Sequence, residues 1–93
     1  MRAVRVHYCG QLGIAAGRGH AEIPVEDGVT IGDFVRALAE RTGGEFARLV
    51  LDGEGKLRST LLVAVDGEQV ADFARAIEGN VREVTLLPPI AGG

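Results

Sequence analysis

The chain has 93 residues, of which 46% are hydrophobic and 25% are charged, and its formal net charge is −3. This length holds one domain, and an acidic balance argues against nucleic acid as a partner, because a basic patch is its usual footprint. The lack of a long apolar run, and of a secretory signal pattern at the N-terminus, predicts no membrane association. The single cysteine, Cys9, excludes an internal disulfide framework and fits a reducing, cytoplasmic location.

The N-terminal segment predicts a β-strand followed by a long connection. Residues 2–8 alternate with the two-residue period of a strand, which places Val4, Val6 and Tyr8 on one face. Residues 10–19 contain four glycines and are typical of the loop of a hairpin.

The hairpin should then close with a return strand. We expect a short helical turn at residues 14–16 and the second strand at residues 20–25, with Ala21 and Ile23 facing inward. Pro24 has no amide N–H to donate to a neighbouring strand, so this strand belongs at an edge of the sheet.

The strongest helix signal follows the hairpin. Thr30 is a good N-cap, and Asp33 stands in the capping-box position three residues later. The paired glycines Gly43 and Gly44 should end the helix in a left-handed conformation. Its apolar stripe at helical spacing consists of Ile31, Phe34, Val35 and Leu38.

A short helix, a polar loop and a strand are predicted next along the chain. Residues 45–51 favour a short helical segment. Residues 52–55 should form a mobile loop, since a phosphate-binding loop would carry a Gly-Lys-Ser/Thr ending and no pair of acids. The apolar run at residues 61–65 predicts a strand covered on both faces.

The remaining elements complete the sheet. Asp66-Gly67 is a strong two-residue turn signal, and residues 68–70 would form the short partner strand. Residues 71–77 resemble a turn of helix, and residues 81–87 form the last strand.

The predicted order is β-β-α-β-(β)-β, which makes the fold class α+β. One main helix would pack on one face of a mixed sheet and bury its apolar stripe against the strands. If the first and last strands lie side by side and parallel in the middle, the fold is a β-grasp, the ubiquitin-like roll. We therefore expect a β-grasp domain at residues 1–87.

The chain ends in a segment that differs from the domain. After Leu87 come two prolines, which end strand pairing and favour extended backbone. The six residues 88–93 would span roughly 20 Å, and the two final glycines, which have no Cβ, fit a narrow channel. Such an extended, flexible tail suits a terminal carboxylate that the active site of another protein must reach.

These residues resemble the MoaD/ThiS sulfur carriers, and most closely the small subunit of molybdopterin synthase. The opening at residues 4–17 contributes to the resemblance, and the tail is its most specific part. The quoted motifs are the turn Val65-Asp66-Gly67-Glu68, the turn Glu78-Gly79-Asn80 and the ending Pro88-Pro89-Ile90-Ala91-Gly92-Gly93.

The resemblance implies a definite chemistry at the C-terminus. A ubiquitin-activating-like enzyme uses ATP to adenylate the carboxylate of Gly93, and a sulfur donor converts the acyl adenylate to a thiocarboxylate. The protein is then a carrier rather than an enzyme, binds no cofactor of its own, and delivers sulfur to a synthase such as the molybdopterin synthase large subunit. The residues expected to occupy the partner's channel are Pro88, Pro89, Ile90, Ala91 and Gly92.

Two departures from the pattern leave the destination of the sulfur open. Many molybdopterin synthase small subunits have an aromatic residue where this chain has Leu87. Residues 51–58 resemble a loop of relatives that serve cysteine biosynthesis and of small archaeal modifiers, whereas the double proline favours molybdopterin. Thiamin or secondary-metabolite synthesis, protein modification through an isopeptide bond of Gly93, and a plain binding module remain alternatives.

Three further predictions concern the rest of the surface. An apolar patch that includes Leu61 and Leu87 should dock the activating enzyme and the sulfur acceptor. His7 and His20 face each other across the hairpin without a third ligand, so no metal site is expected. Cys9 is more typical of a small packing residue than of a sulfur relay.

Overall fold

The computed structural model describes residues 2–88, so the predictions for residues 89–93 lie outside the described part of the chain. Within residues 2–88, no helix is long and apolar enough to cross a membrane. The described elements are β1 (Arg2–Tyr8), α1 (Gln11–Ala16), β2 (His20–Val25), α2 (Ile31–Thr42), α3 (Gly44–Val50), β3 (Leu62–Val65), β4 (Glu68–Val70) and β5 (Glu83–Leu87).

The five strands form one mixed sheet in the order β2-β1-β5-β3-β4. The central pair, β1 and β5, is parallel, with Val6 opposite Val84 and Tyr8 opposite Leu86. All other strand pairs are antiparallel. The predicted β-grasp is confirmed, and the strand that contains Pro24 lies at the edge, as expected.

Helix α2 begins at the predicted cap. The backbone N–H of Asp33 donates to the side-chain oxygen of Thr30 at 3.1 Å, which satisfies one of the N–H groups that the first turn leaves without a partner. The stripe predicted from helical spacing is buried, and α2 is thereby fixed on one face of the sheet.

The end of α2 differs from the prediction. Gly43 has φ 67° and ψ −165°, so the expected left-handed cap is wrong although φ is positive. The cause is that α3 follows at once: the N–H of Gly43 donates to the carbonyl of Ala39, and its own carbonyl accepts from the N–H of Ala47. One glycine thus ends one helix and starts the next.

The core lies between the sheet and the helices. The inward faces of β1 and β5 meet the stripe of α2, and the two short helices extend the same core. Phe46 of α3 packs edge-on against Tyr8 of β1, with ring centroids 5.5 Å apart. Fully buried side chains from these parts include Val4, Val6, Val84, Leu86, Leu12, Phe46 and Val50.

Residues 71–77 are not helical, which corrects the sequence prediction. They run past the start of α2 as turns and an isolated bridge. The N–H groups of Ile31 and Gly32 donate to the carbonyls of Arg75 and Phe73, at 2.9 and 2.8 Å. The first turn of a helix has no internal partners for these N–H groups. Residues 71–77 can supply carbonyls to them because the segment is not helical, whereas a helical segment would use its carbonyls in its own hydrogen bonds.

The turn between β3 and β4 is confirmed, and it also determines where β5 begins. Asp66 and Gly67 both have positive φ, 49° and 86°, as a hairpin turn of the mirror-image type requires. The carboxylate of Asp66 accepts N–H groups from Arg82 and Glu83 at 3.0 and 2.9 Å. The last strand therefore begins at Glu83 rather than at the predicted residue 81.

The cap of α2 gives a first test. Replacing Thr30 with alanine should lower the free energy of unfolding by about 1 kcal/mol, because the N–H of Asp33 loses its acceptor. Urea unfolding measures the change. Thr60→Ala is the matched control, since Thr60 is exposed and outside the described helices and strands. Equal effects of the two substitutions would contradict the capping role.

Candidate functional site: the root of the tail and the open face of the sheet

The chain leaves the domain beside the connection between β1 and α1. The N–H of Cys9 donates to the carbonyl of Leu86 at 3.1 Å and extends the parallel pairing of β1 and β5 by one bond. The next residue after β5, Pro88, is half-buried, and its Cγ lies 3.5 Å from the position that a Cβ on Gly10 would occupy. The root of the tail, Leu87 and Pro88, thus leaves the sheet beside Gly10.

Gly10 adopts a backbone conformation that this neighbour position requires. Its φ of 55° and ψ of −128° lie in a region closed to residues with a Cβ. Its carbonyl accepts the N–H of Gly13 at 3.1 Å and so starts α1. The sequence prediction missed Gly10, because nothing in a loop with four glycines distinguishes the one that lies beside Pro88.

The sheet face opposite α2 carries an apolar area at the same end. Leu62 and Leu87 are opposite each other in β3 and β5, and Ala64 is opposite Thr85. All four are half-buried. The residues between them along the two strands, such as Val63, point to the other face and are in the core. We call these four residues the β3–β5 patch.

The other half of the same face is polar. Arg5 of β1 contacts Glu22 of β2 at 2.9 Å, and His7 contacts Glu83 of β5 at 3.3 Å. Exposed pairs of this kind contribute less than about 1 kcal/mol each. Their main effect is to confine the apolar part of the face to the β3–β5 patch, next to the root of the tail.

The structure corrects one of the two predicted docking residues. Leu61 is only 2% exposed and belongs to the core, so it is not part of a surface patch. Strand β3 is not covered on both faces as predicted, because its burial alternates. The sequence prediction overlooked this alternation. Alternate residues of a strand point to the same face, so Leu61 faces the core with the buried Val63 and Val65, and Leu62 faces the open side of the sheet.

Leu87 lies where the sequence prediction placed it, at the root of the tail and half-buried. Pro88 is the first residue of the predicted tail and the last one that the structure describes. The functional carboxylate of Gly93 and the channel residues 89–92 lie beyond Pro88, so their roles stay predictions.

The histidines and the cysteine have the predicted neighbours. His7 and His20 are paired across the hairpin, and their ring centroids are 6.3 Å apart. Within residues 2–88, no three metal-ligating side chains come together. Cys9 is half-buried at the end of β1, where its N–H donates to the carbonyl of Leu86 and its own carbonyl accepts from the N–H of Leu12.

The polar loop after α3 is organised by its first residue. The carboxylate of Asp52 accepts N–H groups from Lys56 and Glu54 at 3.1 and 2.8 Å. These two backbone hydrogen bonds lower the pKa of Asp52. The carboxylate of Asp52 thus occupies the backbone N–H groups that a phosphate would need. This agrees with the prediction that the loop does not bind phosphate.

The parallel central strands, the helix on one face and the C-terminal strand that leads into a tail define a ubiquitin-like β-grasp protein. Residues 6–93 match the ThiS family, and the chain belongs to that family. The match includes both terminal glycines. The curated proteins contain no match to the chain.

Solved structures show the same fold over nearly the whole chain. Small archaeal modifier protein 1 from Haloferax volcanii is 24% identical, with a TM-score of 0.80 over 98% of this chain and 99% of that one. A Pyrococcus furiosus protein described as molybdopterin converting factor subunit 1 is 22% identical, with a TM-score of 0.73 over 97% and 100%. A chain of the Amycolatopsis orientalis BexX/CysO complex is 28% identical, with a TM-score of 0.64 over 98% and 100%.

These findings place the protein in the ThiS family of ubiquitin-like sulfur carriers. Such proteins are small carriers, which agrees with the prediction that this chain is not an enzyme.

The contact at the root of the tail gives a second test. Gly10→Ala should lower the free energy of unfolding by about 1–3 kcal/mol, because alanine is strained at this φ and ψ. Gly19→Ala, in the same connection, has open space for a Cβ and no left-handed φ, so it should change stability by less than about 1 kcal/mol. Thermal unfolding of both variants measures the difference. A Gly10→Ala variant as stable as Gly19→Ala would show that the backbone at Gly10 is not constrained.

Proposed function

We propose that the protein is a sulfur carrier whose C-terminal carboxylate, on Gly93, is adenylated by an ATP-dependent activating enzyme and converted to a thiocarboxylate. The observation that carries the proposal is the family match, which runs to Gly93 itself. The fold supports it, because β5 delivers the chain to the surface at Pro88. ATP acts as a substrate of the activating enzyme, and the carrier needs no cofactor.

The chemistry follows from the poor reactivity of a carboxylate. A carboxylate oxygen of Gly93 attacks the α-phosphorus of ATP, and pyrophosphate leaves. A hydrosulfide ion supplied by the sulfur donor then attacks the acyl carbon, AMP leaves with the bonding electron pair, and the thioacid loses its proton to water. The thiocarboxylate that results is a nucleophile and a sulfide donor for an acceptor enzyme. Gly92 and Gly93 expose the acyl carbon because neither carries a Cβ.

The β3–β5 patch is the surface that we propose for docking. It adjoins the root of the tail, so an enzyme bound there would have the tail directed into its active site. Removing its apolar side chains from water would favour a complex, and the polar rim of Arg5, Glu22 and His7 would set orientation. The activating enzyme and the acceptor synthase would use this patch in turn.

Molybdopterin synthesis is the destination that we propose first. The double proline at Pro88 favours it, and one structural neighbour is described as a molybdopterin converting factor subunit. The acceptor would then be the large subunit of molybdopterin synthase, in the cytoplasm. Cysteine, thiamin or secondary-metabolite synthesis is the alternative within the class, and the similarity to a chain of the BexX/CysO complex favours keeping it.

Protein modification is a second candidate function. The similarity to small archaeal modifier protein 1 favours it. Gly93 would then form an isopeptide bond with a lysine of a target protein. The chain has nine arginines and only one lysine, Lys56, so chains of the protein linked to itself are disfavoured.

The first measurement is the intact mass of the protein purified from its own cells. We expect a form in which one oxygen is replaced by sulfur, and fragmentation should locate the change at Gly93. A variant that lacks Gly92 and Gly93 is the control and should show no such form. Sulfur retained in that variant would contradict the proposal, and Gly93 found on lysines of other proteins would favour the modifier.

The docking surface gives a separate prediction. Leu87→Asp should raise the KM of the activating enzyme for the carrier by about tenfold or more, since it places a charge in the centre of the patch. Ala3→Asp is the matched control, because Ala3 is exposed on the same face but opposite Pro24, far from the tail. Initial rates of pyrophosphate release measure both.

Leu61→Asp should behave differently from Leu87→Asp. Because Leu61 is in the core, its replacement by an acid should cost several kcal/mol and unfold the domain. Circular dichroism separates this loss of fold from a loss of docking. An unchanged KM for folded Leu87→Asp would show that the patch is not the docking surface.

A further inference from the structure

A groove separate from the β3–β5 patch runs between the edge strand β2 and the C-terminal end of α2. Its cavity is about 240 Å³. It lies on the helix side of the sheet, at the edge opposite β4. The residues that line it include Tyr8, Arg18, Ala21, Ile23, Leu38 and Arg41. We call it the β2–α2 groove.

The groove is lined by two exposed arginines, Arg18 and Arg41, which form none of the ion pairs of the described chain. The ion pairs found within residues 2–88 use Arg5, His7, Arg36 and Arg48, and neither Arg18 nor Arg41 contacts a carboxylate there. Two guanidinium groups thus line one cavity in a protein whose net charge is −3. Such a pair matches a planar carboxylate, which accepts several N–H groups at once.

Tyr8 adds a third polar group to the same cavity. Its side chain is 7% exposed. Burial raises the pKa of Tyr8, while Arg18 and Arg41 act in the opposite direction. Because burial raises this pKa, the hydroxyl remains a hydrogen-bond donor at neutral pH.

The neighbouring edge of β2 offers backbone partners. The N–H of Tyr8 donates to the carbonyl of Gly19 at 2.8 Å, and antiparallel pairs alternate in which residues bond across the ladder. By this alternation His20 and Glu22 direct their backbone N–H and C=O groups away from β1. Among the strands of residues 2–88, none pairs with β2 on that side, and the missing N–H of Pro24 ends the row.

We propose that the β2–α2 groove binds an extended acidic segment of a partner protein, which adds to β2 as a further strand. Side chains of an added strand alternate in direction. A carboxylate at one position would therefore contact Arg18 and Arg41, and an aliphatic side chain two residues away would pack on Ile23 and Leu38. The proposal is independent of the chemistry at Gly93.

The test begins with a display library of random twelve-residue peptides, selected on the intact protein. We expect the enriched peptides to have an acidic residue two positions from a β-branched or aliphatic one. The double variant Arg18→Gln/Arg41→Gln should weaken their binding by about tenfold or more. The matched control, Arg36→Gln/Arg48→Gln, removes the same charge at exposed positions and should change binding less than about threefold.

Two further measurements locate the bound peptide. Amide NMR shifts should be largest at His20 and Glu22, and N-methylation of the peptide residues that face β2 should abolish binding. Peptides that bind equally to both double variants, or that shift the β3–β5 patch instead, would overturn the proposal. Inorganic phosphate is the small-anion control: if it binds in the groove and no acidic peptide does, the site takes small anions and the proposal fails.

Titration of Tyr8 checks the groove independently of any ligand. Tyr8 is the only tyrosine in the chain, so the absorbance of phenolate reports it directly. Its pKa should lie above the usual value in the folded protein and rise further in Arg18→Gln/Arg41→Gln, because the lowering effect of both arginines is lost. Since the folded pKa is raised, stability should be unaffected below the ordinary tyrosine pKa and decrease as pH rises above it.

An unchanged pKa in the double variant, with the fold intact, would show that the arginines do not lie beside the phenol and would contradict the geometry of the groove. The control variant Arg36→Gln/Arg48→Gln should leave the pKa of Tyr8 as it is in the original protein.

Discussion

The parallel pairing of β1 with β5 is the constraint on which the rest of the structure depends. It joins the two ends of the chain in the centre of the sheet, with Val6 opposite Val84. Because the strands are parallel, β5 ends beside the turn that follows β1, where Gly10 meets Pro88. The segment proposed to enter another protein therefore follows a central strand of the sheet rather than an edge strand.

The same pairing separates the two faces of the sheet. Residues of β1 and β5 with one parity pack beneath α2, and those with the other parity form the open face. The charged pairs of that face occupy the half built by β1 and β2, whereas Leu62 and Leu87 occupy the half that adjoins the tail. The location of the apolar patch is thus a consequence of register.

Local signals predicted much of this fold. The cap at Thr30, the turn at Asp66-Gly67 and the alternation in β1 each rest on neighbouring residues, and each was found where it was expected. The prediction of a helical turn at residues 71–77 was wrong because carbonyls of this segment accept hydrogen bonds from the start of α2, which is distant in sequence. The position of Pro88 beside Gly10 and the shared cavity of Arg18 and Arg41 depend on tertiary structure in the same way, so no local pattern indicates them.

The two proposed surfaces differ in what they allow. The β3–β5 patch adjoins the tail, so the enzyme that loads sulfur and the enzyme that accepts it must exclude each other there. The β2–α2 groove lies on the helix side and at the far edge of the sheet, with β1 and β5 between it and β3. A partner bound through Arg18 and Arg41 leaves the patch open. It could therefore stay bound through both steps and keep the carrier close to one acceptor, which raises the effective concentration of the tail without any new contact to it.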